Sequence, residues 1–246
     1  GSFSFESTKI LTCGEGGILV TNNKDLAVRI RKFGAMGYKT LNAGDAQEMP
    51  NPLAFQDPNY LRHDSFGYNY RMAQPLAAIA LAQLERIDWF FKKRQQVARK
   101  YLAAVNGCDW LRPQHTPAGY TNAYWTFVVL CDGEKYGIDW FEFRDKFLEL
   151  GGDKCRSAFA LVYNEPAMKS LHASGRFFPD LEDKQGVDYI GHLKKINCPI
   201  AEKIQPKLMQ FTTNQLSEKE ITIQIGAFKK TIKYFNNQLS KNAKKT

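Results

Sequence analysis

The chain has 246 residues, of which 43% are hydrophobic and 13% aromatic, so it can form one large or two small domains with buried cores. Its formal net charge is +9, but six of these charges are lysines from Lys229 onward, where no acid occurs, and the rest carries only +3. A solvated chain end explains such a run better than a nucleic-acid-binding arm does. The small remaining charge suits a small polyanion as ligand.

The sequence predicts neither a membrane anchor nor a disulfide framework. No apolar run approaches the roughly 20 residues of a membrane-spanning helix, and the first residues lack the pattern of a secretory signal, so we expect a cytoplasmic protein. The cysteines are odd in number, widely spaced and without a C-x-x-C pair, which favours reduced, mostly buried thiols and no metal site. They are Cys13, Cys108, Cys131, Cys155 and Cys198.

The first part of the chain predicts a hairpin followed by a short helix. Residues 2–5 and 18–21 are rich in apolar and β-branched side chains and flank the glycine-rich turn 14–17. Residues 25–33 alternate apolar and basic side chains with the period of an amphipathic helix.

A long irregular stretch then precedes a strongly helical pattern. Residues 34–65 are rich in proline, asparagine and glycine and have no sustained period, which favours a functional loop. From residue 72 to about 105, apolar residues recur every three or four positions. This spacing predicts a long helix, bent or broken near Asp88 and stopped by Gly107.

The rest of the chain predicts a separate α+β unit. Residues 125–130 have the composition of a strand, and residues 140–150 and 217–239 have helical patterns. Because a helix as long as the one before this unit commonly bridges domains, we place the domain boundary within that helix.

Lys9 taken alone indicates only a solvated lysine beside a turn, because lysines are almost never buried without a partner. Its neighbours favour another interpretation. Residues 2–9 read SFSFESTK, and residues 12–21 read TCGEGGILVT. These segments resemble the region around the Schiff-base lysine of the DegT/DnrJ/EryC1/StrS family of sugar aminotransferases, where S-F-x-x-x-K precedes T-x-G-E-G-G and an apolar strand.

A second block is similar to the same family. Residues 67–72 read GYNYRM, and residues 77–85 contain the pattern of the A-x-x-L-x-Q-L helix that follows this motif in the family. Without the resemblance, Gly67 and Asn69 would indicate only a turn that enters a helix. The two blocks in register make the assignment strong from residue 1 to about 105, and the resemblance continues weakly beyond.

The resemblance implies an α/β fold, namely the aminotransferase type I-like fold that binds pyridoxal 5'-phosphate (PLP). The chain would contain the end of the large domain together with a smaller α+β C-terminal domain. We expect residues 1–105 to form the part of the large PLP-binding domain and the interdomain helix, residues 106–240 the small domain, and residues 241–246 a basic tail.

The resemblance also assigns roles to three residues. Lys9 matches the lysine that forms the Schiff base with PLP, which requires an unprotonated amine. Ser4 matches the serine whose hydroxyl binds the cofactor phosphate. Asn69 matches the asparagine that reaches that phosphate from the other subunit, which implies a homodimer with a shared active site. Residue chemistry alone leaves Ser4 an ordinary strand serine and Asn69 a turn residue.

The implied reaction is transamination of a nucleotide-linked 3- or 4-keto sugar, with glutamate as the usual amino-acid donor. Such a reaction serves the synthesis of an amino sugar for a surface polysaccharide or a glycosylated metabolite. A related branch that performs 3-dehydration has histidine in place of this lysine, so Lys9 favours transamination. Candidate substrate residues in loops are Tyr38, Arg62, His63, Arg156 and Tyr163, although each could also be a surface or packing residue.

The chain begins only a few residues before Lys9. In the family, the acid that pairs with the pyridine nitrogen and the aromatic that stacks on the ring come earlier, and without the acid the cofactor loses much of its electron-sink character. We therefore expect a fragment of an enzyme that is inactive by itself. A non-catalytic relative that serves as an assembly or binding module is the alternative, and a basic nucleic-acid-binding domain is a weaker one.

Overall fold

The structure, a computed structural model, describes residues 1–44, 52–168 and 197–242. The chain divides into two compact units, Gly1–Phe90 and Phe91–Thr246. The predicted domains divide after residue 105, and their assignment to cofactor-binding and small domains stays a prediction. None of the helices in the described ranges is long and apolar enough to cross a membrane.

The first unit opens with the predicted hairpin. Strand β1 (Ser2–Ser4) pairs antiparallel with β2 (Gly17–Leu19), with Phe3 opposite Ile18. The pair is short and both strands are exposed. Its function in the fold is therefore to bring the two ends of the segment around Lys9 together.

The predicted amphipathic helix is present as α1 (Lys24–Gly34), where the Asn23 side chain caps the first turn by accepting from the Leu26 N–H. In the described part of the stretch predicted to be irregular, one short helix is present, α2 (Pro52–Gln56). Periodicity could not have indicated this helix, because five residues are too few to show a helical repeat.

The predicted long helix is present as two helices, α3 (Gln74–Leu84) and α4 (Ile87–Val105). The break at residues 85 and 86 lies close to the predicted position. The helix ends before Gly107, which has a positive φ of 77°, a conformation that glycine adopts without steric cost.

The second unit is built on a four-stranded antiparallel sheet with the order β3-β4-β6-β5. The strands are β3 (Leu111–Pro113), β4 (Thr126–Cys131), β5 (Cys155–Ser157) and β6 (Leu208–Thr212). The sequence predicted only β4. Besides most of α4, the described residues of this unit form helices α5 (Trp140–Glu149), α6 (Pro199–Ile204) and α7 (Glu218–Asn242), and of these three α5 and α7 had been predicted.

The core of the second unit is aromatic. The Tyr101 ring stacks on Phe127 with centroids 4.8 Å apart and meets the edge of Phe228 at 5.1 Å. Phe211 lies 4.8 Å from Phe228 and 5.2 Å from Phe147, also in edge contacts. All five rings are buried. Each such pair contributes about 0.5–1.5 kcal/mol beyond the burial of its area, so this unit has a substantial core of its own.

The first unit buries much less. Among its described residues the buried hydrophobic side chains are Cys13, Ala35 and Ala80. Large apolar side chains on its surface are exposed, including Phe3, Ile18, Phe33, Phe66, Tyr68, Tyr70 and Ile79. The order of this unit therefore depends mainly on turns, hydrogen bonds and close backbone contacts, which also shape the segment around Lys9.

Candidate active site

Backbone hydrogen bonds fold the segment between β1 and β2 into a compact loop. Phe5 N–H donates to the Gly16 carbonyl over 2.8 Å, and the Phe5 carbonyl accepts from Cys13 N–H over 3.1 Å. Lys9 closes the turn that starts at Glu6, since its N–H donates to the Glu6 carbonyl over 2.9 Å. Lys9 is half-buried, so the loop shields this lysine partly from solvent and leaves part of it accessible.

The Glu6 carboxylate organises the turn that leads to Lys9. It accepts from the Ser7 hydroxyl, from the Thr8 hydroxyl over 2.5 Å and from the Thr8 N–H over 3.0 Å. These hydrogen bonds from Ser7 and Thr8, with a smaller contribution from the positive charge of Lys9, lower the pKa of Glu6 to about 2. The sequence prediction missed Glu6, and the only available signal was a carboxylate followed by two hydroxyl residues.

Ser4 lies at the end of β1 with its side chain exposed. Its Oγ accepts a hydrogen bond from Glu6 N–H over 3.3 Å. The hydroxyl proton of Ser4 is thus left to donate to an anionic oxygen. Glu6 connects the two predicted residues, because its N–H binds the Ser4 side chain and its carbonyl binds the Lys9 backbone.

The two sequence motifs meet at Gly16 and Met72. A Cβ on Gly16 would lie 2.5 Å from Met72 Cε, so only a residue without a side chain lets the methionine approach this closely. Gly16 belongs to the glycine-rich turn after Lys9, and Met72 ends the GYNYRM block. The two blocks that carried the resemblance are therefore packed against each other within one unit.

Asn69 is exposed, and its side-chain orientation is fixed by Arg71. The Asn69 Oδ1 accepts from Arg71 Nε over 3.0 Å, and because arginine only donates, this contact assigns the oxygen and leaves the Nδ2 amide free to donate. The backbone of Asn69 pairs with Ala35 in an antiparallel bridge. No hydrogen bond between the described residues joins Asn69 to Ser4, and any contribution from the other subunit stays a prediction.

Three of the predicted substrate residues lie together in the first unit. Tyr38 and His63 pair through an antiparallel bridge, and their rings stack with centroids 4.7 Å apart. Arg62 Nη2 donates to the Phe55 carbonyl over 2.7 Å, and its guanidinium lies 4.8 Å from the Phe55 ring centroid. In this arrangement Arg62 stabilises the loop through its contacts with Phe55, whereas Tyr38 and His63 stack on each other.

The other two predicted substrate residues belong to the second unit. Arg156 is exposed in the middle of β5, opposite Gln210. The Tyr163 hydroxyl donates to Glu202 Oε1 over 2.7 Å. Partial burial and this hydrogen bond raise the pKa of Tyr163 to about 12. No hydrogen bond between the described residues joins Arg156 to Tyr163, and a role of either in substrate binding stays a prediction.

A family model for the DegT/DnrJ/EryC1/StrS aminotransferase family matches residues 1–171. This match covers more than half of the chain and includes both motifs. The chain belongs to the DegT/DnrJ/EryC1/StrS aminotransferase family. The predicted membership is thereby confirmed, and the family's enzymes depend on PLP.

A curated relative in this family is the GDP-perosamine synthase of Escherichia coli O157:H7. It is 34% identical over 129 residues, which are 52% of this chain and 30% of the relative. The chain thus spans only part of the length of the relatives that it matches.

Solved structures of the family share the fold. The aminotransferase of Psychrobacter cryohalolentis superposes with a TM-score of 0.71 at 21% identity, over 96% of this chain and 56% of that one. The aminotransferase TlmJ of Streptoalloteichus hindustanus gives a TM-score of 0.70 at 21% identity, over 96% of this chain and 52% of that one. The predicted aminotransferase-like α/β fold is confirmed by these likenesses.

The chemistry of the residues in the first unit fits part of a PLP site. A lysine amine, a serine hydroxyl with a free proton and an amide with free N–H groups are the types of group that hold an aldehyde cofactor and its phosphate. In the described ranges, Lys9, Ser4 and Asn69 supply them within the segments matched by the family.

Proposed function

We propose that the protein containing this chain is a PLP-dependent aminotransferase that transfers the amino group of glutamate to a nucleotide-linked 3- or 4-keto sugar. The observation that carries this proposal is the position of Lys9. It is half-buried after a carboxylate-organised turn, in a loop that packs against the second family motif through Gly16 and Met72. The product would be an amino sugar for a surface polysaccharide or a glycosylated metabolite.

Lys9 would hold the cofactor and move the proton. PLP supplies the electron sink that makes a carbon-bound proton of the amino donor acidic. The Nζ atom of Lys9, when unprotonated, would accept this proton and later return it on the sugar side of the reaction. Glu6 would keep the turn that carries Lys9 in place, because its carboxylate binds two hydroxyl groups and a backbone N–H.

Ser4 and Asn69 would bind the cofactor phosphate. The Ser4 hydroxyl has a free proton, and the Asn69 amide presents its Nδ2 because Arg71 occupies the oxygen. In the proposed arrangement the two residues come from different subunits of a homodimer. Each active site would then need both chains.

The acceptor that we propose to test first is a GDP-linked 4-keto sugar. This choice is supported by the relative named GDP-perosamine synthase, because that name refers to a GDP-linked amino sugar. Five residues remain candidates for contact with the acceptor: Tyr38, Arg62, His63, Arg156 and Tyr163.

The test is an amino-transfer assay with the full-length protein. Purified protein is incubated with PLP, glutamate and GDP-4-keto-6-deoxymannose, and the amino sugar is detected by mass spectrometry. We expect product from the wild type and none from Lys9→Ala. Equal product from both proteins would contradict the role of Lys9. Absence of both product and bound PLP in the wild type would instead favour a non-catalytic binding module.

A further inference from the structure

A cavity of about 280 Å³ lies in the second unit beside the first turns of α7. This volume is far larger than the roughly 30 Å³ that one water molecule occupies in the liquid. The residues that line the cavity include Gly151, Asp153, Gln215, Glu220, Ile223 and Gln224. Within the described ranges none of the predicted site residues lines it, so the proposed reaction gives this cavity no role.

Gln215 brings an unpaired oxygen to the lining of this cavity. The residue is only 8% exposed, and no donor among the described residues binds its Oε1. Its Nε2, in contrast, donates to the Thr212 hydroxyl over 2.7 Å. Because buried polar atoms nearly always have a hydrogen-bond partner and are costly without one, the oxygen indicates a donor that the described residues do not supply.

The Thr212 hydroxyl fixes the orientation of the Gln215 amide. It donates its single proton to Asp153 Oδ2 over 3.1 Å. Towards Gln215 the hydroxyl can then only accept, so the amide nitrogen must be the atom that meets Thr212. Gln224 is oriented similarly, because its Oε1 accepts from Asp153 N–H and its Nε2 donates to Thr212 over 3.2 Å. The unpaired atom of Gln215 is therefore an acceptor.

Two carboxylates add negative charge to the lining. Asp153 binds the same Thr212 hydroxyl as Gln215, so the carboxylate lies close to that amide. Glu220 Oε2 accepts from the N–H and the hydroxyl of Ser217, each over 2.9 Å, and these hydrogen bonds lower the pKa of Glu220. In the described ranges neither Asp153 nor Glu220 forms an ion pair. The cavity thus offers charge and a free acceptor to a cation.

An exposed apolar side chain, Ile223, is also part of the lining. Its Cγ2 lies 3.8 Å from the position that a Cβ on Gly151 would take, so the glycine leaves this methyl group uncovered. A metal ion would gain nothing from the isoleucine, and the described residues contain no group of three or more histidine, cysteine, aspartate or glutamate side chains that could hold one. An organic cation fits better, since its carbon chain can bury apolar surface.

We propose that this cavity binds an alkylammonium ion, that is, a protonated amine on a short carbon chain. The ammonium group donates to Gln215 Oε1 and to the Asp153 carboxylate. Glu220 adds its charge, and the carbon chain lies against Ile223. The formal net charge of +9 disfavours nonspecific attraction of cations, so binding depends on these local groups. The inference goes beyond the proposed function, and neither depends on the other.

The test measures binding to the full-length protein by titration calorimetry at constant ionic strength. The probes are n-butylammonium, cadaverine and spermidine, and 1-butanol is the matched probe that lacks a charge. We expect at least one of the three cations to bind and 1-butanol not to bind measurably. Replacing sodium chloride by potassium chloride tests for a bare ion. Displacement of the amine by potassium at an equal concentration would overturn the organic occupant.

Two substitutions test the groups that bind the ammonium. Asp153→Asn keeps the shape of the side chain and removes its charge, so we expect about a tenfold loss of affinity, as for a charge-assisted hydrogen bond. Gln215→Met keeps the length of the side chain and removes the acceptor. It should weaken binding by several-fold, about the effect of one neutral hydrogen bond. Thermal unfolding curves check folding, and if Gln215→Met does not fold, the exposed position of Asp153 decides.

Asp109→Asn is the matched control, because Asp109 is an exposed aspartate of the same unit that does not line the cavity. It removes the same charge and should leave affinity unchanged. The inference is overturned if the wild type binds none of the three cations, which would leave the cavity to water. It is equally overturned if folded Asp153→Asn and Gln215→Met bind as the wild type does, or if Asp109→Asn loses as much affinity as Asp153→Asn.

Discussion

Glu6 is the residue that the structure adds to the account of the site. It connects Ser4 and Lys9 through its backbone and closes the turn between them through its carboxylate. The sequence motif predicted Lys9 and Ser4 because the family pattern contains them. It did not predict Glu6, since a carboxylate followed by two hydroxyl residues is a weak signal and only the structure shows that both hydroxyl groups bind the carboxylate.

The low pKa of Glu6 gives a prediction about acid. The group has an ordinary pKa of 4.5 and a folded-state pKa of about 2. Its stabilising contribution is therefore present above pH 4.5 and is lost as the pH falls toward 2. Replacing the hydroxyl donors in a Ser7→Ala, Thr8→Val variant should move the pKa of Glu6 upward, toward its ordinary value. A pH titration of the Glu6 carboxyl carbon by NMR measures this.

Thr21→Val is a suitable control for that titration. The Thr21 hydroxyl accepts from Asn23 N–H and makes no contact with Glu6. Its removal should leave the Glu6 titration where it is in the wild type. A wild-type midpoint at the ordinary glutamate value would show that the hydroxyl groups do not bind the carboxylate in solution.

At the scale of elements, Gly67 fixes the second motif against the end of α1. A Cβ on this residue would lie 2.6 Å from the Lys32 carbonyl oxygen and 2.8 Å from Gly37 N. Gly67→Ala should therefore force a backbone shift and destabilise the protein by about 1–3 kcal/mol. Urea unfolding measures the change in free energy.

Gly34→Ala controls for the loss of glycine as such. A Cβ on Gly34 would come no closer than 4.0 Å to Tyr70 Cβ, and the residue ends α1, where alanine is favourable. We expect Gly34→Ala to leave stability within about 1 kcal/mol of the wild type. Equal destabilisation by both substitutions would show that the close contact at Gly67 is not the cause.

Gln224 of α7 connects several elements of the second unit. Its Nε2 donates to the Tyr101 hydroxyl over 2.8 Å, and its Oε1 accepts from Asp153 N–H over 2.7 Å. Because Gln224 is only 2% exposed, Gln224→Ala should leave unpaired polar groups and cost about 1–3 kcal/mol. Gln238→Ala, at an exposed position of the same helix, should be nearly neutral. The free energies of unfolding of the two variants must differ for this account to hold.

Most of the elements that the sequence predicted correctly have a sustained pattern, whereas the hairpin of β1 and β2 was predicted from the glycine-rich turn between its two apolar segments. The helices α4, α5 and α7 and the strand β4 are long enough to show a period or an apolar β-branched run. The strands β3 and β5 have three residues each, too few to show alternation. The strand β6 alternates buried and half-buried residues, but its polar and apolar mixture gave no clear strand signal.

At the scale of the whole molecule, the sequence motifs predicted the fold and the family to which the chain belongs. They did not predict the individual side-chain contacts. The resemblance identified Lys9, Ser4 and Asn69 by their positions in the motifs. It could not show that Arg71 orients the Asn69 amide by a hydrogen bond, or that Met72 packs against Gly16. The first contact depends on the orientation of two side chains, and the second joins residues far apart in the chain. Their detection requires the tertiary structure.

The proposed shared active site predicts complementation between two inactive variants. Lys9→Ala removes the cofactor lysine, and Asn69→Asp keeps the acceptor for Arg71 but removes the amide donors. Each full-length variant should be inactive in the amino-transfer assay. Because a two-fold dimer places the same surface on both subunits, an equal mixture should regain roughly a quarter of the wild-type activity. No regain after unfolding and joint refolding, which mixes the subunits, would place both residues in one subunit or exclude the dimer.

The most direct test of the central claim is the identification of the lysine that carries the cofactor. The full-length protein is loaded with PLP, treated with borohydride to fix the cofactor where it is attached, and digested for peptide mass spectrometry. We predict a pyridoxyl group on Lys9 in the wild type and none on the corresponding peptide of Lys9→Ala. Stoichiometric labelling of a different lysine, or no labelling of the wild type, would contradict the claim.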